Sequence, residues 1–76
     1  MAKPKRILRV TWGDAHGCFP HWRSKPPKQK PRRMVSVGAC LQDDEVGITL
    51  VQSWDKSLVA DGIFIPRANV QEVEEL

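Results

Sequence analysis

The placement of proline divides this chain into two kinds of sequence. Four of its six prolines lie between residues 20 and 31, at Pro20, Pro26, Pro27 and Pro31. Because proline lacks a backbone N–H and fixes its own φ, this stretch cannot form a regular helix or a central strand. We therefore predict a Pro/Lys/Arg-rich loop of about twenty residues, over residues 13–33, and loops of that length are usually functional or disordered.

Short alternating segments on either side of that loop predict strands. Residues 6–12 place Leu8, Val10 and Trp12 on one face, which we expect to form the core. Residues 34–42 also alternate, and one face then carries Val35, Val37, Ala39 and Leu41. The other face carries the small residues Ser36, Gly38 and Cys40, where we expect another backbone to approach closely and Cys40 to be a buried, inert thiol.

The second half of the chain predicts the remaining strands. Residues 46–53 and 62–65 are strand-like, and the acidic residues 43–45 indicate an antiparallel hairpin. After Pro66, residues 67–76 fit either a helix or one turn followed by a strand. We favour a 3₁₀ turn at residues 66–69 and a closing strand. The predicted fold is mainly β: a small five-stranded antiparallel barrel, Src-homology-3-like or Sm-like, with a long basic loop between strands 1 and 2 and little helix.

Length and composition narrow the class of protein. A chain of 76 residues is long enough for one domain only. We expect a disordered basic tail at residues 1–5 and a single domain at residues 6–76. Two cysteines do not make a disulfide framework, and the chain has neither a membrane-length apolar run nor a signal-peptide pattern. We expect a cytoplasmic protein that needs no cofactor, does not enter a membrane and is too small to favour an enzyme.

Charge is separated along the sequence. Residues 1–33 contain ten Lys or Arg and one acidic residue, whereas residues 34–76 contain two basic and eight acidic residues. The net charge of the whole chain is only +3, because the positive first half and the negative second half largely cancel. This separation predicts an anionic partner for the first half, which is either another molecule or the chain's own acidic half.

A series of landmarks resembles a group of small uncharacterised proteins of tailed bacteriophages. The landmarks are Trp12-Gly13-Asp14-Ala15, Trp22, Ser36-Val37-Gly38, Asp43-Asp44, Gln52-Ser53 and Ile65-Pro66-Arg67. The resemblance covers residues 7–76 and implies a compact β-rich accessory protein made in an infected bacterium. The group has no established activity, so the resemblance transfers no functional residue. The Lys- and Pro-rich insert at residues 23–33 departs from the group's pattern.

The candidate binding site is the row of cations in the proline-rich loop. A proline-rich backbone holds such charges apart, and a row of them neutralises phosphates without regard to sequence. Exposed tryptophans add stacking on bases. The predicted ligand-binding residues are Arg23, Lys25, Lys28, Lys30, Arg32, Arg33, Trp22 and Trp54. Alternatively, Trp22 covers the core as a lid, and the loop pairs with the acidic turn at residues 43–45 and the acidic end at residues 72–75.

A weaker candidate is a metal site in the same loop. Asp14, His16, Cys18 and His21 carry zinc-competent donors within eight positions. Their spacing is not that of a standard finger, and the alternative is a polar loop in which Asp14 bonds the N–H groups of its own turn. The same residues suggest a Cys18 nucleophile, but the sequence shows no oxyanion hole and no element that lowers the thiol pKa.

Three functions remain open on the sequence. The first is a non-enzymatic phage accessory protein that presents its basic loop to an anionic partner, with nucleic acid ahead of a nucleotide-type ligand. The second is a factor that binds and redirects a host protein through its acidic turns and Trp54. The third is a homo-oligomeric module in which the positive half of one copy faces the negative half of the next.

Overall fold

Five strands and one 3₁₀ turn make up the fold. The computed structural model describes residues 6–15, 22, 24, 25 and 28–76, so the predicted tail at residues 1–5 lies outside the described residues. In chain order the elements are β1 (Ile7–Asp14), β2 (Arg32–Asp43), β3 (Gly47–Trp54), β4 (Val59–Pro66), the 3₁₀ turn η1 (Arg67–Asn69) and β5 (Val70–Glu75). The predicted mainly β fold is confirmed, as is the 3₁₀ turn followed by a last strand.

The strands form one antiparallel sheet in the order β4-β3-β2-β1-β5. The predicted closed barrel is not formed, because β5 pairs with β1 and, within the described residues, makes no ladder with β4. The turn η1 connects these two edge strands. Its Arg67 N–H donates to the Val46 carbonyl at 3.1 Å, and its Asn69 side-chain amide donates to the Gly13 carbonyl at 2.8 Å.

The core lies on one face of the sheet. Its buried cluster consists of Leu8, Val10, Trp12, Ile48, Leu50 and Ile65. Residues of β1 and β4 share this cluster although two strands separate them, so the sheet curves around its core. The predicted core face of β1 is confirmed. Trp12 is 8 % exposed, and its indole N–H donates to the Ser36 hydroxyl at 3.0 Å, which satisfies the only polar group of the ring.

Strand β2 directs its small residues toward the core and most of its aliphatic residues outward. Gly38 is paired with Leu8, and directly paired residues of antiparallel strands share a face. Val35 and Val37 therefore lie on the opposite face, where they are 56 % and 43 % exposed. A Cβ at Gly38 would lie 3.0 Å from the Val51 carbonyl oxygen, which confirms the predicted close approach of another backbone.

Acidic residues build both hairpin turns. The Asp44 carboxylate accepts the N–H groups two and three residues ahead at 2.9 and 3.2 Å, and Asp55 does the same at 2.8 and 2.7 Å. These are local turns in which a side chain replaces a backbone acceptor. The pKa of Asp44 is lowered chiefly by the side-chain amide of Gln42, and that of Asp55 chiefly by the Ser57 N–H. Asp44 and Asp55 therefore stabilise the hairpin turns of the fold.

Candidate nucleic-acid interface

The described cations of the predicted binding loop are all exposed. We call them the basic segment: Lys25, Lys28, Lys30, Arg32 and Arg33. The first three precede β2, whereas the last two occupy its first two positions, opposite Asp14 and Gly13 of β1. The segment is thus anchored to the sheet at one end. The sixth predicted cation, Arg23, lies outside the described residues.

The carboxylates that form ion pairs in the described part of the chain, Asp43, Glu74 and Glu75, all pair with cations outside the basic segment. The ion pairs in the described part of the chain are Arg6–Asp43 at 3.2 Å, Arg6–Glu75 at 2.7 Å, Arg67–Asp43 at 2.5 Å and Arg9–Glu74. The pKa of Asp43 is lowered, chiefly by the hydrogen bond from Arg67. Three of the eight acids in residues 34–76 are therefore paired with Arg9 of β1, with Arg6 just before it and with Arg67 of η1.

Four cations of the basic segment have no such partner. Within the described residues, Lys25, Lys28, Arg32 and Arg33 form no ion pair. Arg33 lies beside a groove of about 290 Å³ that also contains Glu72 and Glu74, so nearby acids partly offset its charge. Arg32 lies directly opposite Asp14 in the β1–β2 ladder, so that acid partly offsets its charge as well. The charges of Lys25 and Lys28, and the remainder of the Arg32 charge, are available to an external anion.

The two predicted stacking residues differ in their surroundings. The side chain of Trp22 is fully exposed, so its predicted role as a lid over the core is wrong. Trp54 ends β3 and is 38 % exposed. It lines a cavity of about 400 Å³ with Leu58. Trp22 is therefore the better placed of the two to stack on a ligand.

A groove lies where the basic segment meets the sheet. This end groove has a volume of about 500 Å³ and is lined by residues 13–15 and 29–31 together with Ala68, Asn69 and Gln71. Pro31 packs directly on β1, since a Cβ at Gly13 would lie only 2.7 Å from the Pro31 Cβ. The groove is thus bounded by the loop before β2, by the end of β1, and by η1 with the start of β5.

The end groove brings together residues that sequence reasoning missed. Gln29, Asn69 and Gln71 carry amides that no sequence motif singles out, and they come from positions about forty residues apart. Asp14, a predicted metal candidate, lines the same groove. The only available signal was the mixture of proline and polar residues at the end of the loop, which marks a turn without indicating a site.

Only one of the four predicted metal ligands lies within the described residues. His16, Cys18 and His21 lie outside the described residues, which leaves Asp14 as the one member with a position. Among the residues that the structure places, no three His, Cys, Asp or Glu side chains form a group that could hold a metal ion. The metal site therefore stays a prediction.

Comparison with known proteins identifies no relative of this chain. No protein-family model, curated protein or solved structure matches this chain. The resemblance to tailed-bacteriophage proteins stays a prediction. Within the described residues, no helix has the length and apolar character needed to cross a membrane. Function must therefore be argued from the charges and grooves of the chain itself.

Proposed function

We propose that this protein is a non-enzymatic nucleic-acid-binding protein, encoded by a phage, that holds phosphates on its basic segment. One observation carries the proposal. Three acids, Asp43, Glu74 and Glu75, pair with Arg6, Arg9 and Arg67. By contrast, Lys25, Lys28 and Arg32 are exposed and form no ion pair with described residues. The remaining six acids do not pair with these three cations either, so these cations are not held by the acidic half of the chain.

The expected binding is electrostatic. Each phosphate that a cation neutralises releases a condensed counterion, so affinity falls as salt rises. With three or four cations engaged on a single strand, the slope of log K against log salt is about −2 to −3. Trp22 adds stacking on one base, worth about 1–3 kcal/mol, because its ring is fully exposed beside the segment in the sequence.

The proposed architecture also favours such a partner. The strand order and the 3₁₀ turn between β4 and β5 support an open relative of the Src-homology-3-like or Sm-like barrels, which expose long loops on a small rigid sheet. In this chain the exposed loop carries the unpaired cations. Anchorage at Arg32 and Arg33, in β2, reduces the ordering entropy that binding costs.

Fluorescence anisotropy with a labelled oligonucleotide tests the proposal. We expect saturable binding whose affinity falls at least about tenfold between about 50 mM and about 200 mM salt. Inorganic pyrophosphate at the same ionic strength should compete weakly, because it offers too few phosphates to engage the whole segment. The absence of binding at micromolar protein, or an affinity independent of salt, would overturn the proposal.

Self-association is a second candidate function, and the outer face of the sheet favours it. By register, Ile7, Val35, Val37 and Phe64 lie on the face opposite the core, and Phe64 is 47 % exposed. Exposed apolar side chains that share one face of a sheet favour an interaction surface. The acids expected to bind a host protein, by contrast, are in part engaged within the chain, as the bonds of Asp43, Asp44 and Asp55 described above show.

A second copy of the chain is the occupant that fits this outer face. Arg9 lies on β1, Arg33 on β2, and Glu72 and Glu74 on β5. The apolar residues are therefore flanked by two cations and two acids, a balance that does not repel a second copy placed across a two-fold axis. Light scattering at two salt concentrations tests this function. We expect a dimer that Val37→Lys converts to a monomer. A monomer in the unmodified protein at both salt concentrations ends this candidate.

A further inference from the structure

The end groove contains hydrogen-bonding groups that the fold does not use. The side-chain amides of Gln29 and Gln71 line it and make no hydrogen bond within the described residues. The amide nitrogen of Asn69 is bound to the Gly13 carbonyl at 2.8 Å, which fixes the orientation of that side chain. Each amide offers a donor and an acceptor side by side, the pattern presented by the edge of a nucleobase.

The walls of the end groove suit a flat, partly apolar ligand. Ala15, Pro31 and Ala68 supply apolar surface between the amides, and the volume of about 500 Å³ lies within the range of small-ligand sites. None of the described residues that line it is aromatic. Proline-rich peptides are bound in aromatic-lined grooves, so this groove does not fit that class of ligand.

The position of the groove relates it to the basic segment. Lys30 lines it, Gln29 lies between Lys28 and Lys30 in the chain, and Pro31 connects it to Arg32. A strand whose phosphates contact Lys28 and Arg32 therefore passes the mouth of the groove. Duplex bases are stacked and paired, whereas bases of a single strand can turn outward into a pocket.

We propose that the end groove receives one unstacked base of a single strand, read by Gln29 and Gln71, while the backbone of that strand lies on the basic segment. This inference rests on the proposed function and makes it narrower: the partner is single-stranded, and one position has a base preference. The amide oxygens of Gln29 and Gln71, together with the carboxylate of Asp14, are acceptors for an exocyclic amino group, so the groove favours a base that carries one.

The test compares homopolymers and variants by anisotropy. The probes are labelled dA, dC and dT strands of about 12 nucleotides and a mixed-sequence duplex of the same length. We expect dA or dC to bind at least about fivefold tighter than dT and the duplex. Gln29→Ala and Gln71→Ala should remove that preference and leave the salt slope unchanged. Both residues are exposed and their side chains make no hydrogen bond with described residues, so neither change should affect folding.

The outcomes separate this inference from the function on which it rests. Equal affinity for all probes, or a preference that survives in both glutamine variants, would overturn the base pocket while salt-dependent binding still supports the function. If the unmodified protein binds no probe, both proposals are wrong. Both proposals are supported if Gln71→Ala removes the base preference and Lys28→Glu reduces the salt slope.

Discussion

Arg67 of η1 donates a hydrogen bond to the Asp43 carboxylate at 2.5 Å, which joins the turn between the edge strands to the end of β2. The same guanidinium donates to the Asp44 carbonyl at 2.9 and 2.6 Å. Arg6 approaches the second oxygen of Asp43 at 3.2 Å. One carboxylate therefore holds two cations that are distant in sequence, and it does so without any cation of the basic segment.

This arrangement predicts a pH-dependent stability. The pKa of Asp43 is lowered in the folded state, chiefly by Arg67 and then by Arg6, so its contribution is complete above the unfolded pKa and disappears as pH falls through the folded pKa. We expect Asp43→Asn to lower the free energy of unfolding by about 1 kcal/mol near pH 7, a small value because the pair is partly exposed. Urea unfolding measures this difference.

The control for this prediction is Glu45→Gln, because Glu45 is exposed and forms no ion pair with described residues. It should leave stability unchanged. The difference between Asp43→Asn and the unmodified protein should shrink as pH falls below the unfolded-state pKa of Asp43 and vanish once the folded carboxyl is protonated. A difference that keeps the same size as pH falls would contradict the ion-pair account.

Two glycines in paired strands should respond oppositely to alanine. A Cβ at Gly47 would lie 2.6 Å from Phe64 Cζ and still closer to the Ile65 carbonyl, so Gly47→Ala should cost about 2 kcal/mol through overpacking. At Gly62 the nearest atom is Val51 Cγ1 at 3.6 Å, an ordinary contact, so Gly62→Ala should be tolerated. Thermal unfolding followed by circular dichroism gives both values. Equal melting temperatures would show that the β3–β4 pairing is incorrectly described.

The thiol of Cys40 should react slowly. Burial raises its pKa, although Arg6 acts in the opposite direction, so at about pH 8 less thiolate is present than in the unfolded chain. In a Cys18→Ser background, we expect an aromatic disulfide reagent to modify Cys40 at least about tenfold more slowly in the native than in the denatured protein. Equal rates would mean that the side chain is not packed against the core.

Local patterns predicted those parts of the fold that depend on neighbours in sequence. Alternation identified the core face at Leu8, Val10 and Trp12, and Pro66 indicated where the 3₁₀ turn begins. Alternation in β2 defines two faces without saying which is buried. That choice follows from the pairing of Gly38 with Leu8, which brings backbone close to the core, and pairing between distant strands is not visible in one strand's sequence.

Of the candidate site, the sequence predicts only the cluster of positive charge. The cations are evident from composition, because ten of them precede residue 34 against one acid. Which cations are engaged inside the fold depends on register: Arg9 lies opposite Glu74 because β5 pairs with β1. The end groove depends on the same pairing, since Gln71 reaches the loop only when β5 lies beside β1. Amides have no sequence signature that would place them together.

The most direct test of the account compares two charge reversals with the same change in net charge. Lys28 belongs to the basic segment, whereas Lys56 lies in the turn between β3 and β4, and both are exposed. We measure the affinity for a labelled single strand across a range of salt concentrations. Lys28→Glu should weaken binding at low salt by about fivefold or more and reduce the salt slope by about 1, whereas Lys56→Glu should bind like the unmodified protein. Equal losses in both variants would mean that net charge alone attracts the strand, and no loss in either would mean that the basic segment does not bind it; both results contradict the account.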